Sequence, residues 1–359
     1  MNLNDFKDPK YAKGLVDSIA ALAPKQATLM EVCGTHTVSI ARNGIRNLMP
    51  EGVRLASGPG CPVCVTSNHD LDVLMALAKI DNVVVASFGD MLRVPGSTTS
   101  LLKLKAEGKQ VQVVYSPLDA ITFAQANPDK QVVFAGVGFE TTTPLVAVAI
   151  KRAKQMGIKN FSVYSSHKNV PNALELIVNE PKLKIDALIL PGHVSSIIGI
   201  APYQVLADKY GVPGVVTGFE PLDLLQGIAM IMKQLHEGRR DIEIAYSRGV
   251  MADGNPHARA VIDEVFETCA SYWRGLGFIP DSAYAIRKEF EEFDAMKRFK
   301  PEIEPTVEHK GCSCGSVLRG LTPPDKCPLF RKVCNPENPI GPCMVSSEGS
   351  CAAYYRYYS

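Results

Sequence analysis

The residues of this chain best able to do chemistry are its ten cysteines, at positions 33, 61, 64, 269, 312, 314, 327, 334, 343 and 351. Six of them fall in the last 48 residues, whereas residues 65–311 hold only Cys269. A secreted disulfide scaffold is usually shorter and spreads its cysteines through the fold. Clustering in a chain of 359 residues points instead to metal or redox chemistry. Cys269, in a stretch that reads as helical over 257–270, suits a small buried hydrophobe. The other nine do not.

Cys61 and Cys64 form C-P-V-C within GPGCPVC at 58–64. Two intervening residues bring the sulfurs within reach of a disulfide or a shared metal, and a following helix N-terminus lowers a thiol pKa. A structural half-zinc site is the competing reading and needs a second pair from a distant segment. Cys33 opens C-G-T-H-T at 33–37, where a thiol is either a soft metal ligand or an activated nucleophile. In the tail, Cys312, Cys327, Cys334 and Cys351 are separated by 14, 6 and 16 residues. Zinc ribbons use paired C-x-x-C knuckles, so these gaps suit an iron–sulfur cluster better. Cys314 and Cys343 are then left as a redox pair, although a ligand set containing either of them stays open.

Such residues need elements to position them. Apolar runs at 28–32, 53–56, 83–87, 111–115, 132–136, 161–165, 187–190 and 212–217 alternate with helical patterns. Runs of this kind suit strands covered on both faces, hence parallel sheets with crossover helices. The fold class expected is α/β: two consecutive doubly wound parallel-sheet domains, with a break near Gly108 or Ser116, followed by a Cys-rich C-terminal domain. The divisions are 1–115, 116–240 and 241–359, and a single (β/α) barrel is the alternative. Gly-Phe-Glu recurs at 138–140 and 218–220, a weak sign of a repeat. Residues 256–299 read as mostly helical, and 300–309 as a Pro/Glu-rich connector. The tail from Gly311 is poor in aliphatics and needs a metal or covalent staple; its aromatic end, 354–358, reads as packing around it.

Ligands bind beyond the carboxyl ends of the strands in open parallel sheets. Those ends carry Cys33 and His36, Cys61 and Cys64, Asp90, Glu140, Ser166, His167 and Lys168, and His193. The recurrence points to a shared cleft, with His193 the favoured histidine. Lys plus Arg is 38 against 37 Asp plus Glu, a net charge of +1 that argues against broad phosphate neutralisation. There is no P-loop and no G-x-G-x-x-G after a strand. No apolar run approaches a membrane span, and residues 1–10 lack a secretory h-region. A soluble, cytoplasmic protein is expected.

CGTHT at 33–37, GPGCPVC at 58–64, GFETT at 138–142, PGHVS at 191–195 and the tail cysteine spacing together resemble the HypD family of nickel–iron hydrogenase maturation proteins. The resemblance covers essentially the whole chain without departure from the pattern. It implies two α/β domains and a C-terminal 4Fe–4S cluster domain. It also implies an assembly scaffold that, with a small HypC-type chaperone, holds iron while cyanide and carbon monoxide ligands are added, a HypE-type partner supplying the cyanide. By the same resemblance Cys33 contacts the iron, Cys61 and Cys64 are a thiol–disulfide pair, and the cluster feeds electrons. Glu140 or His193 is expected to orient a ligand or manage a proton. Two competing readings remain: a cluster-dependent thiol–disulfide oxidoreductase, and an interaction protein with a zinc-stapled tail.

Overall fold

The computed structural model describes residues 8–358, so most of the polar stretch 1–10 and the last residue of the tail lie outside the described residues. Eleven strands are formed among them: β1 Ala27–Glu31, β2 Val53–Ser57, β3 Val83–Ser87, β4 Val111–Val113, β5 Gln131–Gly136, β6 Phe161–Ser165, β7 Ala187–Pro191, β8 Gly214–Thr217, β9 Ile242–Ile244, β10 Phe266–Trp273 and β11 Gly277–Ile286. The first nine build two parallel sheets, ordered β2-β1-β7-β8-β9 and β4-β3-β5-β6.

Successive strand residues face opposite sides of a sheet, and both sides of the first sheet are covered. Leu29, Ile189 and Val215 pack with residues of the helices Pro9–Leu22 and Pro221–Glu237. Met30, Leu188, Leu190 and Val216 pack on the other side with the helix Val170–Val178 and parts of the tail. The second sheet is sandwiched likewise, Phe134 and Val132 towards one core and Val133 and Ala135 towards another. The architecture is doubly wound α/β with a Cys-rich C-terminal region.

The two sheets are not consecutive in the chain, however. β1 and β2 pair with strands beyond residue 186, and β3–β6 form an inserted unit between them. The expected division at 115/116 therefore falls inside the second sheet. Apolar runs report that a strand is buried on both faces and say nothing about which strand lies beside it. Counted within its own sheet, the first unit has the order 2-1-3-4-5 and the second 2-1-3-4, so each has a topological switch point between its first and third strands, β1/β7 and β3/β5. The repeated Gly-Phe-Glu does not mark equivalent places: one copy follows the third strand of its sheet and the other the fourth.

The chain crosses between units twice. The outbound helix Asn68–Lys79 starts in a capping box, Ser67 Oγ accepting from Asp70 N at 3.1 Å. Asp70 also takes a 2.8 Å hydrogen bond from Tyr164 and a 3.0 Å ion pair from buried Lys168, on the return segment. The two crossings are clamped to each other.

Residues 256–299 are not mostly helical. The helix Pro256–Val265 gives way to an antiparallel hairpin, β10 with β11, so Cys269 lies on a strand and is half-buried. Aromatic and β-branched residues in Phe266–Trp273 favour a strand once an opposite surface is available. The hairpin's Trp273 stacks on Phe139 and donates to Ser282 Oγ at 2.9 Å. Its turn meets the tail closely: Gly275, at φ +75°, leaves no room for a Cβ against Gly315. Arg46 holds the tail's aromatic end, donating to Tyr354 Oη at 2.8 Å and lying 5.2 Å from that ring's centre.

Candidate functional site

Cys33 leaves β1 in extended conformation and serves as N-cap of the helix Gly34–Arg42. Two glycines bring other backbone against it. A Cβ on Gly60 would stand 2.1 Å from Cys33 N, and Gly34 N donates to Gly60 O at 2.9 Å. Beneath lies Glu31, fully buried, accepting from Cys33 N at 3.1 Å and from Thr37 Oγ1 at 2.5 Å. Burial raises that carboxyl to about 7 despite these donors. Burial likewise pushes the Cys33 thiol up to about 12, with Glu348 and Glu31 adding to the effect, while the amides of His36 and Thr35 oppose it. Such a thiol is protonated near neutral pH and is no free nucleophile. A soft metal that displaces the proton would find two amide donors already aimed at the sulfur.

Across the β1/β7 switch point, His193 sits at the start of the helix Gly192–Ile198. It stacks on Phe219 at 3.9 Å, and partial burial lowers its pKa. His36 lies behind the same ring at 5.3 Å, wholly buried, its Nε2 at 3.0 Å from Thr217 Oγ1. Burial drops it to about 4, so it is neutral and structural and does not line the crevice. Glu348, from the tail, completes the surroundings of Cys33.

Cys61 and Cys64 span the one-turn helix Pro62–Val65 with their sulfurs 2.7 Å apart, both buried. Cys61 Sγ also donates to Ser346 Oγ at 3.4 Å. Cys64 is hydrogen-bonded to Cys343, whose sulfur is 2.9 Å from that of Cys314; Cys314 in turn meets Cys312, and Cys343 meets Cys351. Cys312, Cys314, Cys327, Cys334, Cys343 and Cys351 all line one apolar cavity. An unbroken run of sulfurs thus joins that cavity to Cys61, beside Gly60 and Cys33.

No three His, Cys, Asp or Glu side chains among the described residues are spaced to grip a single metal ion. Thiols arranged around a shared cavity suit a polynuclear cluster better. Cys334 Sγ accepts hydrogen bonds from the amides of Ile340, at 3.4 Å, and Gly341, the kind of donor that stabilises a ligating thiolate. The six thiols around this cavity are a donor set that fits an iron–sulfur cluster.

Glu140 belongs to the other switch point. Its Oε1 accepts from Val170 N at 3.0 Å, its Oε2 has no partner, and burial raises it to about 7. Buried Tyr203, hydrogen-bonded with Ser195 of the PGHVS segment at 3.4 Å, lies within electrostatic reach of both Glu140 and Cys33. The expected single cleft is therefore two adjoining centres, Cys33 with His193 at one and Glu140 at the other. Lys168 is taken up by Asp70 and by Ser271 at 2.6 Å. His167 is buried, and its pKa falls to about 3. Phe219, Tyr203, Ser346 and Glu348 were not legible as site residues. Glu348 touches Thr35 from 313 residues away, and its only sequence signal is its place between two tail cysteines.

The family model described as HypD, "Hydrogenase formation hypA family", matches residues 10–358. The chain is 48% identical over 364 residues to "Hydrogenase expression/formation protein HupD" of Azotobacter chroococcum, covering 99% of this chain and 96% of that one. It is 48% identical, with the same coverage, to "Hydrogenase maturation factor HypD" of Azotobacter vinelandii. To the HypD of Cupriavidus necator it is 44% identical, across 99% of this chain and 96% of the other. With matches running from end to end over all five motifs, the chain belongs to the HypD family.

Proposed function

We propose that the chain is a cytoplasmic maturation factor for nickel–iron hydrogenases. It acts as a scaffold on which, with a small HypC-type chaperone docked, iron acquires its cyanide and carbon monoxide ligands, a HypE-type partner donating the cyanide. The observation that carries this reading is the run of sulfurs from the six-cysteine cavity to Cys61, ending beside Cys33. Cys33 supplies one thiolate to the iron being assembled. A second soft ligand comes from the chaperone, because a single thiolate holds iron weakly, and metal affinity is thereby coupled to partner affinity. His193 and Glu140 orient the incoming ligand or hold a proton near it.

A 4Fe–4S cluster bound by Cys312, Cys327, Cys334 and Cys351 would supply one-electron chemistry next to the Cys314–Cys343 pair. Closing the Cys61–Cys64 disulfide releases two electrons and two protons, which would cleave the S–C bond of a thiocyanate-type cyanide donor to a thiol and cyanide, the cyanide then binding iron without further redox change. Contact between Cys64 and Cys343 lets the two pairs exchange disulfides. The same contact favours a second reading, a cluster-dependent thiol–disulfide oxidoreductase. Anaerobic purification with the chaperone, followed by Mössbauer and infrared spectra, separates the two. Iron beyond the cluster, with cyanide and carbonyl bands, is expected of the scaffold; cluster iron alone with turnover of small disulfides would overturn it.

A further inference from the structure

A charged side chain of the tail reaches the Cys33 crevice from outside the four short motifs. Glu348 accepts a 2.7 Å hydrogen bond from Thr35 Oγ1. Gly34 allows the approach, since a Cβ there would stand 2.6 Å from Glu348 Cβ and 3.0 Å from its Oε2. The tail segment that carries Glu348 is also fixed from behind: its amide donates to Ser346 Oγ at 3.2 Å, and Ser346 receives the thiol of Cys61. Glu348 is within electrostatic reach of both Cys33 and His193.

The helix Gly34–Arg42 needs such help. The first amides of a helix have no partner within it, and here those of Thr35 and His36 find only the sulfur of the N-cap residue, Cys33, a weak acceptor. An acceptor bearing negative charge at this end is favourable, and here it comes from the tail. We propose that Glu348 is a positioning residue. By holding Thr35 it fixes the turn at 33–37 and keeps the Cys33 sulfur facing the β1/β7 crevice, and it is in place only while the tail is folded between Cys343 and Cys351. Its consequence for iron rests on the scaffold reading above; its effect on Cys33 does not.

The test uses the full chain, with visible absorbance reporting the cluster. Glu348→Ala, Thr35→Val, the double variant and Glu348→Gln are compared in two assays. One is Fe2+ affinity at the Cys33-dependent site of the chain with its chaperone bound, by chelator competition. The other is the rate of Cys33 alkylation by iodoacetamide at one fixed pH without added iron. Glu348→Ala and Thr35→Val should each weaken Fe2+ binding by about 10–100-fold, as loss of a partner behind a metal ligand does. Each should speed alkylation roughly tenfold, the scale of a lost hydrogen bond to a charged group. The double variant should be no worse than either single one, and Glu348→Gln, which keeps the acceptor, should recover most of the loss. Fully additive effects, or an alkylation rate unchanged in both single variants, would overturn the proposal. Where Glu348→Ala fails to retain the cluster, Thr35→Val and Glu348→Gln decide the matter. A wild-type chain that, with the chaperone bound, takes up no iron beyond its cluster defeats the scaffold reading, and alkylation then decides the role of Glu348 alone.

Discussion

At the scale of single residues, burial sets the protonation states and so the available chemistry. Cys33, raised to about 12, keeps its proton until something softer and more charged replaces it. Cys33→Ala should therefore abolish the iron outside the cluster together with its cyanide and carbonyl infrared bands, while the visible absorbance of the cluster stays at the wild-type level. Retention of those bands with the chaperone bound would place the iron elsewhere. His167 offers a pH test away from the iron. Its folded pKa of about 3 lies below the ordinary 6.5 because burial disfavours the cation, with Lys168 adding to the effect. A depressed base lets the unfolded chain bind more protons as the pH falls, so stability is lost from pH 6.5 downwards until the folded pKa is reached. At pH 5 that loss is on the order of 2 kcal/mol. Chemical denaturation of His167→Gln at pH 7 and pH 5 should show a smaller difference than wild type by about that amount. Residue types and spacing were enough to point to Cys33, the C-P-V-C pair and the tail cysteines. They could not reveal Glu348, whose role comes from a contact between opposite ends of the chain.

Among the elements, the two crossing segments depend on a buried ion pair. Lys168 is 1% exposed and Asp70 7%, so removing the cation would leave a carboxylate in the interior with only hydroxyl donors and the amide of Ser67. Breaking such a pair from one side typically costs about 3–5 kcal/mol. Lys168→Ala should lower the midpoint of unfolding by that measure, and a second change, Asp70→Asn, should recover part of it. Additive losses would show that the pair does not act as a unit. All eight strands before residue 220 were readable from their apolar runs, since a strand covered on both faces has little choice of composition. β10 and β11 were not. Their outward residues, Glu267, Thr268 and Asp281, mix polar with apolar positions as a surface helix does, and only the opposite strand decides between the two.

For the molecule as a whole, the tail is the part least able to fold by itself. Its 311–358 stretch leans on the first sheet through Arg46 and Arg54, the latter donating to Gly320 O at 2.5 Å, and on the hairpin through Gly275. Cys327→Ser should remove the visible absorbance and make this stretch the first site of proteolytic cleavage, with both parallel sheets left intact. A Cys327→Ser protein with full cluster occupancy would overturn the ligand assignment. That there are two parallel sheets was legible in the sequence; their nesting was not, because partner choice between strands of equal hydrophobicity is settled by connections that span the whole chain.

That nesting dictates an order of events during synthesis. β1 and β2 emerge first, but the neighbour of β1 on its other side is β7, more than 150 residues later. The inserted sheet, by contrast, closes entirely within residues 83–165, all of its strands local to one another. Local contacts form sooner than distant ones, so the later unit completes first on the ribosome. The N-terminal pair, with Cys33 and the C-P-V-C motif at its open edge, must wait unpaired until β7 arrives. For that interval the thiols of Cys33, Cys61 and Cys64 are exposed together with apolar strand faces, a period of vulnerability to oxidation and to wrong pairing that a chaperone arriving early would shorten.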